Sequence, residues 1–302
     1  MLGSFFRSLA DNGAAKALIG GNPLGRRFAS RFVAGETLDD ALTVASDISA
    51  RGMSTALAYL GEHVTEPCEA DEAVAVYIDA AVELRRRSLP GYLSPKLTQL
   101  GLDVSEDLCR HNLERILEEG ERSDIFVRID MEGSAYTETT LRIVEDLHGR
   151  FPRLGTVLQS YLHRTGADLD RLIASEIPVR IVKGAYNEPE EVAYQDQSQV
   201  EASYKALVEK ALVSGTPTAV ATHNDGLLGH AREFAASREV PLENFEFQML
   251  YGIRRAEQEK LAAAGFNVRV YVPFGPQWYP YFMRRLGERP ANVMFLLRNL
   301  FR

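Results

Sequence analysis

Short apolar stretches alternate with longer amphipathic stretches along most of this chain. From about residue 53 onward, each run of apolar or alternating residues is followed by apolar residues at helical spacing. The runs predict eight strands, which cover Ser54–Leu60, Gly91–Lys96, Ile125–Asp130, Gly155–Ser160, Val179–Gly184, Thr218–His223, Phe245–Leu250 and Asn267–Val272. Strands that are separated by helices pair in parallel, because each helix carries the chain back across the sheet.

The stretches between these strands predict helices. They cover Asp71–Arg87, Glu106–Gly120, Glu138–Gly149, Asp168–Ser175, Gln199–Val213, Asp225–Arg238 and Arg254–Ala264. After the last strand, a corner formed by Pro273, Gly275 and Pro276 leads into a final helix that carries Arg284 and Arg285. Eight strand-then-helix units at about 30 residues each predict an α/β protein with the (β/α)8 barrel fold.

The alternative is an open, doubly wound sheet. Such a sheet is expected to show a glycine fingerprint directly after a strand. The glycine-rich segment Gly20–Gly25 follows a predicted helix, so it does not qualify. We predict that residues 1–50 form a helical N-terminal segment, helical throughout, and that residues 51–302 form the barrel. Within that segment, Thr37 is the expected N-cap of a helix that begins at Leu38.

Composition narrows the class of protein. With 302 residues, 45% hydrophobic and 25% charged, the chain is long enough for one large core. A net charge of −8 argues against nucleic-acid binding, which requires a basic face. The two cysteines form neither a disulfide framework nor a metal-binding spacing, which favours a reducing, cytoplasmic setting. The first residues do not resemble a signal peptide, and no apolar run is long enough to span a membrane.

Polar side chains lie at or near the carboxyl end of every predicted strand. They are Glu62, Lys96, Asp130, Glu132, Gln159, Arg180, Lys183, Tyr186, Thr222, His223, Asn224, Gln248 and Tyr271. The carboxyl ends of barrel strands form the face at which barrel enzymes hold their active sites. The pattern therefore predicts a functional site at this face.

Two groups of charged residues there suit a zwitterionic ligand. Lys96, Arg284 and Arg285 can converge on one small anion, because guanidinium groups match a carboxylate two bonds at a time. Asp130 and Glu62, at the ends of strands three and one, are placed to pair with these cations. A carboxylate would meet the arginines, and an amine would lie near neutral groups.

Two further features bear on the chemistry. In Lys183–Tyr186, the two small residues Gly184 and Ala185 would let a large ligand approach the backbone. His223 is a candidate general base. No His, Asp and Cys grouping has metal-ligand spacing and no nucleophile-elbow motif is present, so a metal site and acyl transfer are not expected.

Five stretches in this order resemble the proline dehydrogenase family. They are Ile129–Glu132, Val182–Tyr186, Ala221–Asn224, Phe247–Gly252 and Tyr281–Leu286, within about residues 50 to 290. The resemblance implies a distorted (β/α)8 barrel that binds FAD non-covalently at its carboxyl face. Proline would lie between the flavin and the last barrel helix.

The resemblance also implies roles for individual residues. The expected substrate-binding residues are Lys96, Tyr271, Arg284, Arg285, Glu62 and Glu288. Among them, the two arginines and the lysine would hold the carboxylate, Tyr271 would pack against the proline ring, and Glu62 would pair with the first arginine. Asp130 would orient this cluster, and we assign it a catalytic role together with Arg180.

On the flavin side, the resemblance implies a longer set of contacts. The expected FAD-binding residues are Met131, Gln159, Arg180, Val182, Lys183, Gly184, Ala185, Tyr186, Thr222, His223, Asn224 and Gln248. Arg180 would lie near the reactive nitrogen of the flavin, where a cation stabilises the reduced ring. On this interpretation His223 contacts the flavin and is not a general base.

The implied reaction is the oxidation of L-proline to Δ1-pyrroline-5-carboxylate by hydride transfer to FAD, with electrons passed to a membrane quinone. A separate pyrroline-5-carboxylate dehydrogenase would complete the conversion to glutamate. We therefore expect a cytoplasmic protein with peripheral contact at the inner face of the membrane. The candidate contact surfaces are an N-terminal helix with Phe5, Phe6 and Leu9, and the tail Val293–Phe301, both of which fit core packing or an oligomer contact as well.

Two other functions remain open from the residues alone. A lysine at a barrel strand end, Lys96 or Lys183, could form an imine with a substrate, as in a Schiff-base lyase. A barrel that binds an amino acid without catalysis would use the same charged groups. Flavin colour that proline bleaches distinguishes the dehydrogenase from both.

Overall fold

The computed structural model describes residues 30–287, with side chains for residues 30–283. Eight strands form a closed parallel barrel in chain order, and the last strand pairs with the first. The strands are β1 (Ser54–Tyr59), β2 (Gly91–Leu93), β3 (Val127–Ile129), β4 (Leu154–Gln159), β5 (Val179–Val182), β6 (Thr218–Ala221), β7 (Phe245–Leu250) and β8 (Val268–Phe274). The predicted (β/α)8 barrel is confirmed, and the open sheet is excluded because β8 closes onto β1.

Helices surround this barrel. They are α1 (Leu38–Ser49), α2 (Pro67–Arg86), α3 (Glu106–Ser123), α4 (Ser134–His148), α5 (Thr165–Ala174), α6 (Gln197–Val213), α7 (Asp225–Ser237), α8 (Arg255–Ala263) and α9 (Trp278–Gly287), with a short 3-10 turn at Leu242–Asn244. Their apolar faces and the outward-facing strand residues form one large core, which includes Tyr77, Leu113 and Leu169. None of the helices in the described part of the chain is long and apolar enough to cross a membrane.

The segment before β1 differs from its prediction in one respect. Thr37 caps α1 as expected, because its side chain accepts a hydrogen bond from Asp40 N while the Asp40 carboxylate accepts one from Thr37 N. Residues 30–37, however, are not helical, so the prediction of helix throughout residues 1–50 is wrong there. Ala34 N donates to Pro273 O and Gly35 O accepts from Gly275 N, so this segment bonds to the end of β8 instead.

Two strand ends also differ from their predictions. β2 ends at Leu93, three residues early, so Lys96 lies in the loop that follows. β8 continues through Pro273 to Phe274, because it pairs with β1 along its whole length. The predicted corner therefore begins at Gly275, whose φ of 124° lies in the region that only glycine adopts readily.

Charged residues occupy the interior of the barrel near the amino ends of the strands. Glu246 on β7 pairs with Arg269 on β8 at 2.9 Å. Arg128 on β3 donates from Nη1 to the backbone carbonyls of Thr156 and Pro178, each at 3.2 Å. Buried charges need partners of this kind, since an unpaired charge in the interior is costly. The barrel is thus filled by a polar layer beneath the predicted site.

Candidate active site

A cavity of about 630 Å³ opens at the carboxyl ends of the strands. Its lining includes all twelve residues predicted to contact a flavin: Met131, Gln159, Arg180, Val182, Lys183, Gly184, Ala185, Tyr186, Thr222, His223, Asn224 and Gln248. It also includes three residues of the predicted substrate cluster, Lys96, Asp130 and Tyr271. A cleft of this size, in which polar side chains converge among apolar ones, is typical of a cofactor or substrate site.

Asp130 is the centre of a hydrogen-bond cluster on one wall of the cavity. Asp130 is only 8% exposed, and its carboxylate accepts from Arg180 Nη1 at 2.8 Å, Ser94 Oγ at 2.6 Å and Tyr271 Oη at 2.6 Å. Burial, together with the neighbouring Asp130 carboxylate, raises the pKa of Tyr271 well above its usual value of 10. The Tyr271 hydroxyl therefore remains a hydrogen-bond donor to Asp130 at physiological pH.

Arg180 lies within β5 and points into the barrel, so it is a strand-interior residue and not a strand-end residue as predicted. Its Nη2 donates to Tyr92 Oη at 2.8 Å and to Ser94 Oγ at 3.2 Å, and its Nη1 is paired with Asp130. Its Nε is buried and has no hydrogen-bond partner among the described residues. A buried guanidinium N–H without an acceptor suits a bound ligand that supplies one.

Lys183 and Asn224, which border the cavity, are held by one carboxylate. Glu201 Oε1, on α6, accepts from Lys183 Nζ at 2.6 Å and from Asn224 Nδ2 at 3.2 Å. Hydrogen bonds from Lys183 and Gln197 lower the pKa of Glu201. The Asn224 side chain also accepts from Leu227 N, capping α7. The Lys183–Glu201 ion pair and the N-terminus of α7 thus lie together at the cavity, and a helix N-terminus favours an anionic group.

Gly184 forms a tight contact in the same wall. Its φ is +116°, and a side-chain carbon at this position would overlap the ring of Tyr161. Only glycine fits here, so the backbone after β5 lies directly against an aromatic ring.

His223 lines the cavity, and one of its ring nitrogens is hydrogen-bonded to the backbone. Nε2 accepts a hydrogen bond from Leu250 N at 3.0 Å, and the His223 carbonyl accepts from Arg254 Nη1 at 2.8 Å. A ring nitrogen that accepts an N–H carries no proton of its own, so the imidazole is neutral in this arrangement. Nε2 is therefore not available as a general base.

Not all of the predicted substrate-binding residues line the cavity in the described part of the chain. Glu62 lies after β1, outside the lining, and close to the buried Glu132. Burial raises the pKa of Glu132, and the Glu62 carboxylate adds to the rise. The backbone of α9 carries Arg284 and Arg285, but their side chains lie outside the described residues, as do Glu288, the segment predicted to form an N-terminal helix, and the C-terminal tail.

Sequence reasoning missed several residues of the site. Five more line the cavity: Val157, Ala221, Met249, Leu250 and Tyr281. Two others, Tyr92 and Ser94, bond to Arg180 from β2 and the loop after it. Tyr281 could have been found, because it precedes Arg284 by three residues and so shares a helix face with it. The four apolar lining residues could not be distinguished in the sequence from ordinary residues of a barrel core.

Comparison with known proteins identifies the family. The family model described as proline dehydrogenase matches residues 41–298 of this chain. Proline dehydrogenase 1 of Bacillus subtilis is 39% identical over 282 residues, which is 93% of this chain and 92% of that protein. The chain belongs to the proline dehydrogenase family. Another similar protein, proline dehydrogenase of Deinococcus radiodurans, is 37% identical over 91% of this chain and 90% of its own length.

Solved structures of larger proteins share the fold of this proline dehydrogenase family member. Proline utilization A from Bdellovibrio bacteriovorus, inactivated by N-propargylglycine, superposes with a TM-score of 0.82 over 90% of this chain at 24% identity. A mutant of the Bradyrhizobium japonicum protein superposes with a TM-score of 0.77 at 21% identity. The chain spans about a third of each of those chains (33%), so these matches show the barrel alone.

Proposed function

We propose that this protein oxidises L-proline to Δ1-pyrroline-5-carboxylate, using FAD as the first electron acceptor and a membrane quinone as the second. The observation that carries the proposal is the cavity, in which every residue that the resemblance assigned to the flavin meets the Asp130, Tyr271 and Lys96 cluster. The similarity to proteins named proline dehydrogenase supports the choice of substrate.

The residues present fit a flavin. The Arg180 Nε has no acceptor among the described residues, and the backbone at Gly184 admits no side chain. The Lys183 ammonium, which is paired with Glu201, lies at the cavity, where a phosphate can share it. FAD, when bound, supplies a two-electron acceptor for the C–H bond of the amine. The protein contributes the orientation and the electrostatics of the site.

We assign the binding of the substrate carboxylate to the cationic residues Lys96, Arg284 and Arg285. Lys96 lines the cavity and makes no hydrogen bond or ion pair within the described part of the chain, so it is available for a carboxylate. We assign the remaining carboxylate contacts to Arg284 and Arg285, with Glu62 and Glu288 as their expected partners. Fixing the substrate in this way can lower the barrier by about 7 kcal/mol.

The cations also act on the substrate amine. Oxidation at the adjacent carbon needs the nitrogen lone pair, so the amine must be unprotonated. Lys96, Arg284 and Arg285 favour the neutral amine, because like charges repel. Activity is therefore expected to rise with pH through the neutral to alkaline range, and a flat pH profile of the proline-dependent bleaching step would count against this role.

The product and the electrons need acceptors outside this chain. A separate pyrroline-5-carboxylate dehydrogenase is the expected consumer of the product. Delivery of electrons to a quinone requires contact with a membrane surface, for which we retain the predicted N-terminal helix and the C-terminal tail as candidates.

An anaerobic titration of the purified protein with L-proline tests the proposal. The expected protein is yellow, and its flavin absorption bleaches as proline is added. A colourless protein, in which borohydride traps a substrate imine on Lys96 or Lys183, would indicate the lyase instead. Proline binding without any bleaching would indicate a non-catalytic binding protein.

The carboxylate clamp has its own test. Arg284→Lys and Arg285→Lys each keep the positive charge but lose the bidentate geometry, and we expect the KM for proline to rise about tenfold or more, in line with loss of a hydrogen bond to a charged group. Arg238→Lys is the control, because Arg238 caps the C-terminal end of α7 and lies outside the cavity lining. A near-normal KM in both variants would remove the clamp from the mechanism.

A further inference from the structure

Tyr92 lies beneath the cavity and contacts two residues that line it. It is the second residue of β2 and is 3% exposed. Its hydroxyl oxygen accepts from Arg180 Nη2 at 2.8 Å and from Gln248 Nε2 at 2.7 Å. These partners are distant in sequence, on β5 and β7, so the hydroxyl joins three strands across the barrel interior.

The orientation of the Gln248 amide is set by a second contact. Gln248 Nε2 also donates to the Glu246 carboxylate, which in turn pairs with Arg269. A flipped amide would place its oxygen against that carboxylate and lose the bond. Tyr92 Oη is therefore the acceptor in its contact with Gln248.

Three guanidinium groups surround the Tyr92 ring. The Cζ atoms of Arg269, Arg128 and Arg180 lie 4.2, 5.6 and 5.9 Å from the ring centroid. Asp130 pairs with Arg180 and Glu246 with Arg269, at opposite ends of the interior. The electron-rich ring thus separates three like charges and offers each a favourable contact.

Tyr92 differs from the other acceptors of Arg180. Asp130 lines the cavity, and Ser94 donates a hydrogen bond to it, so these two acceptors belong to one cluster. Tyr92 instead connects Arg180 to Gln248, and through it to the polar layer below. Two cavity-lining groups are therefore fixed relative to one another by a single hydroxyl.

We infer that Tyr92 is a positioning residue for the flavin site: its hydroxyl holds the Arg180 guanidinium and the Gln248 amide as one unit against the bound cofactor. The inference rests on the proposed function. A cation held in a fixed place stabilises the additional electron density of a reduced flavin, so Tyr92 acts on the reduction potential through Arg180.

Tyr92→Phe tests this role because it removes the hydroxyl and keeps the ring. The expected result is a more negative midpoint potential of the bound flavin, measured by spectroelectrochemistry. A hydrogen bond to a charged group predicts an effect of about tenfold, which corresponds to about 30 mV for a two-electron couple. We expect kcat to fall about tenfold as well, with less than about a twofold change in the KM for proline.

Tyr204→Phe is the matched control. Tyr204 is buried, and its hydroxyl donates to Ile181 O on the same strand as Arg180, at 3.3 Å, without a contact to Arg180 or Gln248. This variant should keep the wild-type potential. Thermal unfolding and flavin content are measured on both variants.

The outcomes separate this inference from the proposed function. If wild-type flavin does not bleach with proline, the proposed function fails first. If it bleaches, an unchanged potential in Tyr92→Phe, an equal shift in both variants, or a failure of Tyr92→Phe alone to fold would each overturn the positioning role. A shift confined to Tyr92→Phe supports it.

Discussion

Tyr271 donates a hydrogen bond of 2.6 Å to Asp130, joining β8 to the residue that follows β3 across the mouth of the barrel. Asp130 also accepts from Arg180, so the three side chains form a closed group between the two proposed halves of the site. Because the Tyr271 hydroxyl remains protonated, this group keeps its geometry over the physiological pH range.

Tyr271→Phe keeps the ring proposed to pack against proline and removes only this bond. A buried carboxylate that loses a donor is less well fixed, which costs about 1.5 kcal/mol or more. We expect kcat/KM for proline to fall about tenfold while the protein still binds flavin. Steady-state kinetics and flavin absorbance measure both quantities.

The control for this change is Tyr251→Phe. Tyr251 directly follows β7, contacts Arg255 and lies outside the cavity lining. The Tyr251→Phe variant should have a kcat/KM within about twofold of wild type, because changes away from the site commonly have small effects. Equal kinetics in Tyr271→Phe and wild type would show that the hydroxyl does not contribute to the site.

A substitution at Gly184 tests the close approach of the backbone after β5 to the Tyr161 ring. Gly184→Ala places a methyl group into the Tyr161 ring and forces an alanine to φ near +116°, so we expect a loss of about 2 kcal/mol or more in unfolding free energy. We also expect weaker FAD binding, because the loop must shift. Denaturant unfolding and flavin titration of the cofactor-free protein provide the measurements.

Gly229→Ala has the opposite expected sign. This glycine lies inside α7, and a side-chain carbon there meets no atom within 4 Å. Alanine should stabilise the helix by about 0.5 to 1 kcal/mol. A Gly184→Ala variant as stable as wild type would contradict the contact with Tyr161.

The barrel and the cavity could be predicted from the sequence for a physical reason. Strand and helix periodicities are local, and the carboxyl ends of parallel strands must meet at one face. Lys183 and Asn224, which follow neighbouring strands, could therefore be placed side by side from the order of the strands alone. Thr37 was likewise identifiable, since a capping box is contained within four residues.

The supporting contacts could not be predicted, because they join residues far apart in the chain. Tyr92 meets Gln248 across 156 positions, and the choice of partner depends on the closed barrel. Tyr92 also sits in a strand of three residues, where an aromatic side chain is ordinary. Pro273 was assigned to a corner on its residue type, whereas pairing of β8 with β1 keeps it in the strand.

Glu188 links two loops that border the cavity. Its carboxylate accepts from Ser134 N at 2.7 Å and from Ser134 Oγ at 2.5 Å, so a residue of the loop after β5 caps the start of α4. Glu188→Ala should expose the first turn of α4 and loosen this loop, at a cost of about 1 to 2 kcal/mol.

Hydrogen exchange at the start of α4 and the FAD dissociation rate measure the effect, and both are expected to increase. Glu191→Ala, an exposed change in the same loop, is the control. If the two variants exchange alike, the cap does not hold the loop in solution.

Glu106 gives the protein a defined acid sensitivity. It accepts from Arg142 at 2.7 and 2.6 Å and from Arg110 at 2.9 Å, and these hydrogen bonds lower its pKa from 4.5 to about 2. A carboxyl group whose pKa is lowered in the folded state stabilises the fold at pH values above its unfolded-state pKa. That contribution is lost as the pH falls toward the folded-state pKa. Here the loss falls between about pH 4.5 and pH 2.

Glu106→Gln should therefore be less stable than wild type at pH 7, by about 0.5 to 1 kcal/mol, because the group is about one-third exposed and solvent screens the pairs. The difference should shrink as the pH falls below about 4.5 and vanish near pH 2. Asp107→Asn is the control, since Asp107 lies in the same first turn of α3 but has no ion pair within the described chain. Urea unfolding at several pH values would contradict the assignment if the gap between Glu106→Gln and wild type stayed constant down to pH 2.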